Sequence, residues 1–308
     1  GTDSNPEPKK LTPSEVLAKT PHLVGLTDQK NERLIVADLN SDSWKNDAAV
    51  VWEFKDARCK GAAGIKFRNS SFWGGDVVLF CGPKAAGIIS YQTKEMLYFT
   101  TKVGSNPHEP ELLPDGNLVV ASSTDGIVHL FAATTGNLNP VDSVYNIPSA
   151  HGALWDPANQ LLWLAGGNVF AGYQITGTTQ APRFQARTDL RFVISDGGIH
   201  DLSPVYGNPS RVWLTTSGGV YQIEKLTGQK TKVFSGASAV AGKTYVPGVG
   251  NYPDGVVVYV VPNKVFKDWC SDRVLLYVPG QDGTEQNLVR TVDNDAYYKC
   301  RVWITQYQ

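Results

Sequence analysis

The chain has no long apolar run, no basic tract and no Cys-x-x-Cys pair. Its longest apolar stretch, Val256-Val257-Val258-Tyr259-Val260-Val261, falls well short of the ~18 residues a membrane helix needs, and its β-branched content reads as a buried strand. No run of Lys or Arg exceeds two residues, and 28 basic residues face 29 acidic ones. A nucleic-acid binder needs a basic face to neutralise phosphates. Neither nucleic acid nor a membrane is therefore an expected partner. The missing Cys-x-x-Cys disfavours a zinc knuckle or a thioredoxin-type site. The paired carboxylates of a glycoside hydrolase are not evident either.

Glycine is abundant, at 30 residues, while charged residues make up only 19%. That balance suits an all-β protein with many tight turns. Of the three pairings that four cysteines allow, Cys59–Cys81 and Cys270–Cys300 are favoured, because each would lie within or between adjoining units. The alternative is four buried free thiols. Asn69-Ser70-Ser71 is a glycosylation sequon. Together these features lean towards a secreted, extracellular protein. Residues 1–12 are polar and proline-rich and are expected to form a flexible arm, leaving residues 13–308 as a single domain. A short helix is expected from Pro13 to Lys19, with Ser14 as its cap.

A repeat organises the rest. Each unit has a small-residue turn, a short strand, a second turn, a strongly apolar strand and two further strands. Asn106-Pro107-His108 leads through Pro114-Asp115-Gly116-Asn117 into Leu118-Val119-Val120-Ala121. Ala150-His151-Gly152 leads through Asp156-Pro157-Ala158-Asn159 into Leu161-Leu162-Trp163-Leu164. Gly198-Ile199-His200 and Pro247-Gly248 open two similar units. Unit starts near 61, 108, 151, 200, 248 and 296 are 43 to 49 residues apart. A period in the forties with about four strands per unit marks a β-propeller. The last start leaves room only for inner-strand residues such as Arg301-Val302-Trp303-Ile304. Near the N-terminus, strands at His22-Leu23-Val24-Gly25-Leu26, Leu34-Ile35-Val36-Ala37 and Val50-Val51-Trp52-Glu53-Phe54 have no inner partner. Joining the two ends closes a six-bladed ring of four-stranded blades and removes exposed edges. A seventh blade would require two merged units.

Three of the five histidines, His108, His151 and His200, occupy one place in three successive units. At the start of inner strands they are expected to converge on one mouth of the central channel. Neutral imidazoles there would ligate a divalent transition metal (Zn, Mn, Fe or Cu), or serve as general acid and base. Tyr252 is a further catalytic candidate. Arg58, Lys66, Trp73, Arg191, Lys243, Tyr245 and Tyr297 are candidates for substrate contact, with Lys60, Asn251 and Tyr298 in equivalent turns. His22 and His129 read as structural. No organic cofactor is expected.

The phrases Asn106-Pro107-His108-Glu109-Pro110-Glu111-Leu112-Leu113-Pro114-Asp115-Gly116-Asn117 and Ala150-His151-Gly152-Ala153-Leu154-Trp155-Asp156 resemble a family of extracellular propeller domains of fungi and bacteria without an assigned function. The resemblance implies the propeller and secretion, and no reaction. A looser likeness to propeller polysaccharide lyases, some of which carry His and a metal at the channel mouth, rests on site geometry alone. The expected function is a monomeric carbohydrate-active protein, a lyase acting on a uronate-containing glycan. A His or Tyr would take the C5 proton, and a metal or cation would stabilise the carboxylate. The alternatives are a non-catalytic lectin-like propeller and a protein-interaction platform.

Overall fold

A computed structural model describes residues 1, 4–7, 9–280 and 285–308. Its strands form six four-stranded antiparallel sheets. The first blade takes its inner strand, β24 (Tyr297–Val302), from the C-terminal end of the chain and its other three from the N-terminal end: β1 (Leu23–Asp28), β2 (Arg33–Asp38) and β3 (Val50–Lys55). Val24 pairs with Val302 and Leu26 with Cys300, so the ring closes as the orphan N-terminal strands require. The inner strands of the following blades are β4 (Gly64–Ser70), β8 (Pro107–Leu112), β12 (Ala150–Asp156), β16 (Asp201–Pro204) and β20 (Gly248–Asn251).

The apolar strand of each unit lies second in its blade and is buried on both faces, as at β9 (Leu118–Ser122) and β13 (Leu161–Gly166). That is why these segments read as continuous apolar runs rather than alternating ones. Trp163 and Trp213 are buried between neighbouring blades. The short helix α1 (Pro13–Leu17) forms, but its cap is Thr12, whose hydroxyl accepts from Glu15 N while Glu15 accepts from Thr12 N. This reciprocal capping box displaces Ser14 from the role.

The expected cystines do not form: all four cysteines are free and buried. Cys59 and Cys81 belong to different hydrophobic clusters, and Cys300 points its thiol at Gly248 O, 3.4 Å away. The cystine argument for secretion goes with the pairings. Among the described residues no helix is long and apolar enough to cross a membrane.

Candidate functional site at the channel mouth

Six equivalent positions line one end of the channel: Ala63, His108, His151, His200, Pro247 and Tyr298. Each immediately precedes an inner strand or is its second residue. Two residues before five of them the backbone is left-handed: Gly61 (φ 68°), Asn106 (59°), Ser149 (47°), Gly198 (55°) and Tyr245 (54°). The strand register then shifts, from Pro107↔Ser122 to Glu109↔Ala121 and from Ala150↔Gly166 to Gly152↔Ala165. His108 and His151 are the skipped residues. A bulge of this kind re-aims a side chain, and here it frees the imidazoles to line the mouth.

The three histidines come together. The rings of His108 and His151 stack at 4.0 Å between centroids, and His200 meets His151 edge-on at 5.5 Å. His151 Nδ1 donates to Ser149 O at 2.7 Å, and the Tyr298 hydroxyl lies 3.2 Å from His108 Nδ1. His200 Nε2 is 3.3 Å from Ser217 Oγ. Burial and the ammonium of Lys299 hold His151 down at about 4. His108 is pushed well below the usual imidazole range by burial, by His151 and by Lys299. Burial and Lys299 also lower His200, with Asp201 partly offsetting them. Near neutral pH the floor is therefore uncharged imidazole and phenol.

Beneath it lies a buried ion cluster. The next position on the inner strands alternates glycine with charge: Gly64, Glu109, Gly152, Asp201, Gly248 and Lys299. Glycine is needed because the strands approach closely: a Cβ on Gly64 would stand 2.6 Å from His108 O, and one on Gly248 2.8 Å from Cys300 O. Glu109 takes Lys66 Nζ at 2.7 Å and Arg301 Nη2 at 3.0 Å, while Asp201 takes Arg301 at 2.7 Å and Lys299 at 3.1 Å. Deeper, Arg68 pairs with Glu111 through both oxygens at 2.9 Å. Four basic side chains thus face three carboxylates. The far end is closed by the C-terminal segment, where Tyr307 donates to Leu112 O at 2.6 Å and Gln308 Nε2 to Arg211 O at 2.6 Å. The mouth is a blind pocket.

That pocket has a volume of about 1230 Å³. Its walls carry Lys30, Lys60, Lys264 and Lys267 against two carboxylates, Glu32 and Asp268. Tyr245, Phe266 and Trp269 are each about half exposed, at 59%, 54% and 49%. Most of one wall is the connection from Val261 to Asp272, in which Lys264 (φ 65°) and Phe266 (φ 62°) are left-handed without glycine. Strained backbone of this kind collects at functional sites. Gln29 ties this wall to the ring, accepting from Trp269 Nε1 at 2.8 Å and donating to Ala62 O at 3.0 Å.

Other sequence candidates lie elsewhere. Tyr252, expected to be catalytic, is buried in the turn after β20, at the opposite end of that strand, and donates to Leu23 O at 2.5 Å. Tyr297 is fully buried with its hydroxyl on Asp295, because the residue before Tyr298 faces the other side of the strand. Lys66 lies below the floor in the ion cluster. Trp73 stands beyond the far end of β4, bonded to Gly116 O at 2.9 Å. Arg191 is in the outer strand of the fourth blade, on Asn146 O. Arg58 pairs with Asp56, and Lys243 is exposed; neither lines the pocket. Of the contact candidates, Tyr245 does, as do Lys60 and Tyr298 from the equivalent turns. Lys264, Phe266 and Lys267 escaped the sequence reading. Their one signal was an unusually long polar and aromatic connection between two strands of a unit.

Among the described residues no group of three or more His, Cys, Asp or Glu side chains is arranged to hold a metal ion.

The architecture and its blind, polar-floored mouth define the chain as a six-bladed β-propeller with one asymmetric axial pocket. Residues 39–276 match a family of unknown function, DUF6528, and the chain belongs to that family. No curated protein matches it. Among solved structures it is similar to the WD40 β-propeller domain of Doa1 (TM-score 0.53, 11% identity, 90% of this chain and 81% of that one). It is also similar to a chain of the nidogen/laminin complex (TM-score 0.59, 13% identity, 93% and 100%). At these identities the likeness speaks for the fold alone.

Proposed function

We propose that the channel mouth binds an acidic carbohydrate, and that the propeller is a lectin-like recognition protein. The observation that carries this reading is the composition of one blind pocket. Its aromatic rings Tyr245, Phe266 and Trp269 stand half exposed, its lysines outnumber its carboxylates four to two, and its floor is uncharged and polar. Exposed aromatic faces give a sugar ring apolar contact. Lysines supply point charges for a carboxylate or sulfate. A focused positive potential raises the local concentration of an anion.

The same electrostatics weigh against β-elimination. A base that takes a C5 proton works best with a pKa near the working pH. His151 is held at about 4 and burial raises Tyr298 above the ordinary phenol range, so neither is poised for that step. Asn69 of the sequon is exposed, as a glycan acceptor on a secreted protein must be.

Calorimetric titration with oligogalacturonate, hyaluronan fragments and a neutral maltooligosaccharide tests the reading. Binding of an acidic glycan that Lys264→Gln/Lys267→Gln weakens, with no rise in the ultraviolet absorbance of unsaturated uronates, supports it. Absence of binding to every acidic glycan overturns it, and absorbance growth restores the lyase.

A further inference from the structure

Resting on that reading, we propose that the ligand enters hydroxyl-first: a sugar hydroxyl, not the carboxylate, is read on the floor by His151 Nε2 and His108 Nε2. Ser149 O can only accept, so the neutral His151 ring carries its proton on Nδ1, and Nε2 is left as a bare acceptor. Among the described residues the phenol of Tyr298 has His108 Nδ1 as its one hydrogen-bonding side chain. Kept protonated by burial and taken as the donor there, the phenol leaves the proton of the neutral His108 ring on Nε2. Neither Nε2 has a protein partner among the described residues.

The two rings stack at 4.0 Å, which places an acceptor and a donor on neighbouring faces of one floor. A hydroxyl is both donor and acceptor and satisfies both nitrogens. A carboxylate only accepts, and would set its lone pairs against that of His151 Nε2. The lysines stand apart from this floor. Lys264 and Lys267 belong to the Val261–Asp272 wall, and Lys60 to the crossing before β4. The acidic group is therefore held at the rim.

The test uses the whole protein and three probes followed by heteronuclear NMR: D-glucuronate, methyl glucoside (hydroxyls without the carboxylate) and propionate (carboxylate without hydroxyls). The groups facing the two rings are His200, Tyr298, Lys299 and Asp201, so each titration is run at about pH 6 and about pH 8. Hydroxyl-first entry predicts that His151→Phe, which keeps the ring stack, weakens glucuronate and methyl glucoside alike by about tenfold. His151→Gln, whose amide oxygen supplies an acceptor, recovers part of that loss. Lys264→Gln/Lys267→Gln weakens glucuronate only, and affinity changes little between the two pH values. If instead propionate binding is the quantity that His151→Phe abolishes, or glucuronate tightens sharply at the lower pH through proton uptake by the floor, the carboxylate sits on the histidines. The inference then fails while the lectin reading stands. Binding by none of the probes or the longer acidic glycans removes both.

Discussion

Arg301 and Asp201 meet in the buried ion cluster, with Nη2 2.7 Å from Oδ1, although 100 residues separate them in sequence. Arg301 comes from the strand that closes the ring and Asp201 from the fifth blade, so this ion pair joins the last-arriving strand to the middle of the chain. Burial alone would raise the Asp201 carboxyl; Arg301 and Lys299 outweigh it and hold the group down at about 2. Asp201→Asn removes the shared partner of two buried cations. Breaking one side of a buried pair costs about 3–5 kcal/mol. Urea denaturation of Asp201→Asn is expected to show a loss of that order, and stability equal to the parent would refute the cluster's role.

The mouth imidazoles are expected to remain neutral through physiological pH. Imidazole proton titration by NMR should place His151 near 4, with His108 and His200 also below the ordinary value of about 6.5. A base whose folded pKa is depressed leaves the unfolded chain binding more protons, so stability falls as pH drops below about 6.5 and levels off below the folded value. Replacing His151 by Phe should flatten that fall. A midpoint near neutrality for His151 would contradict the buried floor.

His22 behaves in the opposite sense. It is fully buried, with Nε2 2.6 Å from Asp254 and Nδ1 2.9 Å from Asn40, and so ties the start of β1 to the sixth blade. Burial pulls its pKa down, but the bonds to Asp254 and Asn40 outweigh it and raise the group. Its contribution is complete below the unfolded value and is lost as pH rises through the folded one. Asp254 is lowered, so its share is lost as pH falls through its own folded pKa. The pair stabilises the seam in the interval between. Asp254→Asn should lower the thermal midpoint at mildly acidic pH more than at alkaline pH, measured by calorimetry at both; an equal loss would count against the pairing.

How much of this was legible before folding depends on which physical constraint wrote each feature. The ring was readable because a blade must bury its apolar second strand and spaces its turns regularly, and because β1 to β3 lacked an inner partner. The histidine floor was readable for the same reason, since a repeat places equivalent residues at equal height. Tyr297 and Lys66 were misplaced because a strand alternates its faces and descends with each residue. A shift of one position buries Tyr297 beside Asp295, and a shift of three drops Lys66 into the ion cluster. The Val261–Asp272 wall was not readable, since an inserted connection obeys no period. The cystines failed because sequence spacing carries no geometry.

The four thiols give a further test. Burial pushes Cys59, Cys270 and Cys300 up to about 12, and Cys81 well above its ordinary value. The thiolate is the reactive form. A colorimetric thiol reagent should find almost none in the native protein and all four in denaturant without reductant. Fewer than four in denaturant would reinstate a cystine.

Chelation bears on the floor directly. With recognition resting on neutral nitrogens rather than on a bound ion, exhaustive treatment with a chelator should leave acidic-glycan affinity unchanged. Loss of binding that added zinc restores would overturn that assignment.

The most direct measurement is a crystal structure of the protein with an acidic oligosaccharide bound. A sugar ring is expected against Tyr245 or Trp269, a hydroxyl on His151 Nε2 and the carboxylate among the rim lysines. Density for the glycan on an outer blade edge, with the mouth empty, would contradict it.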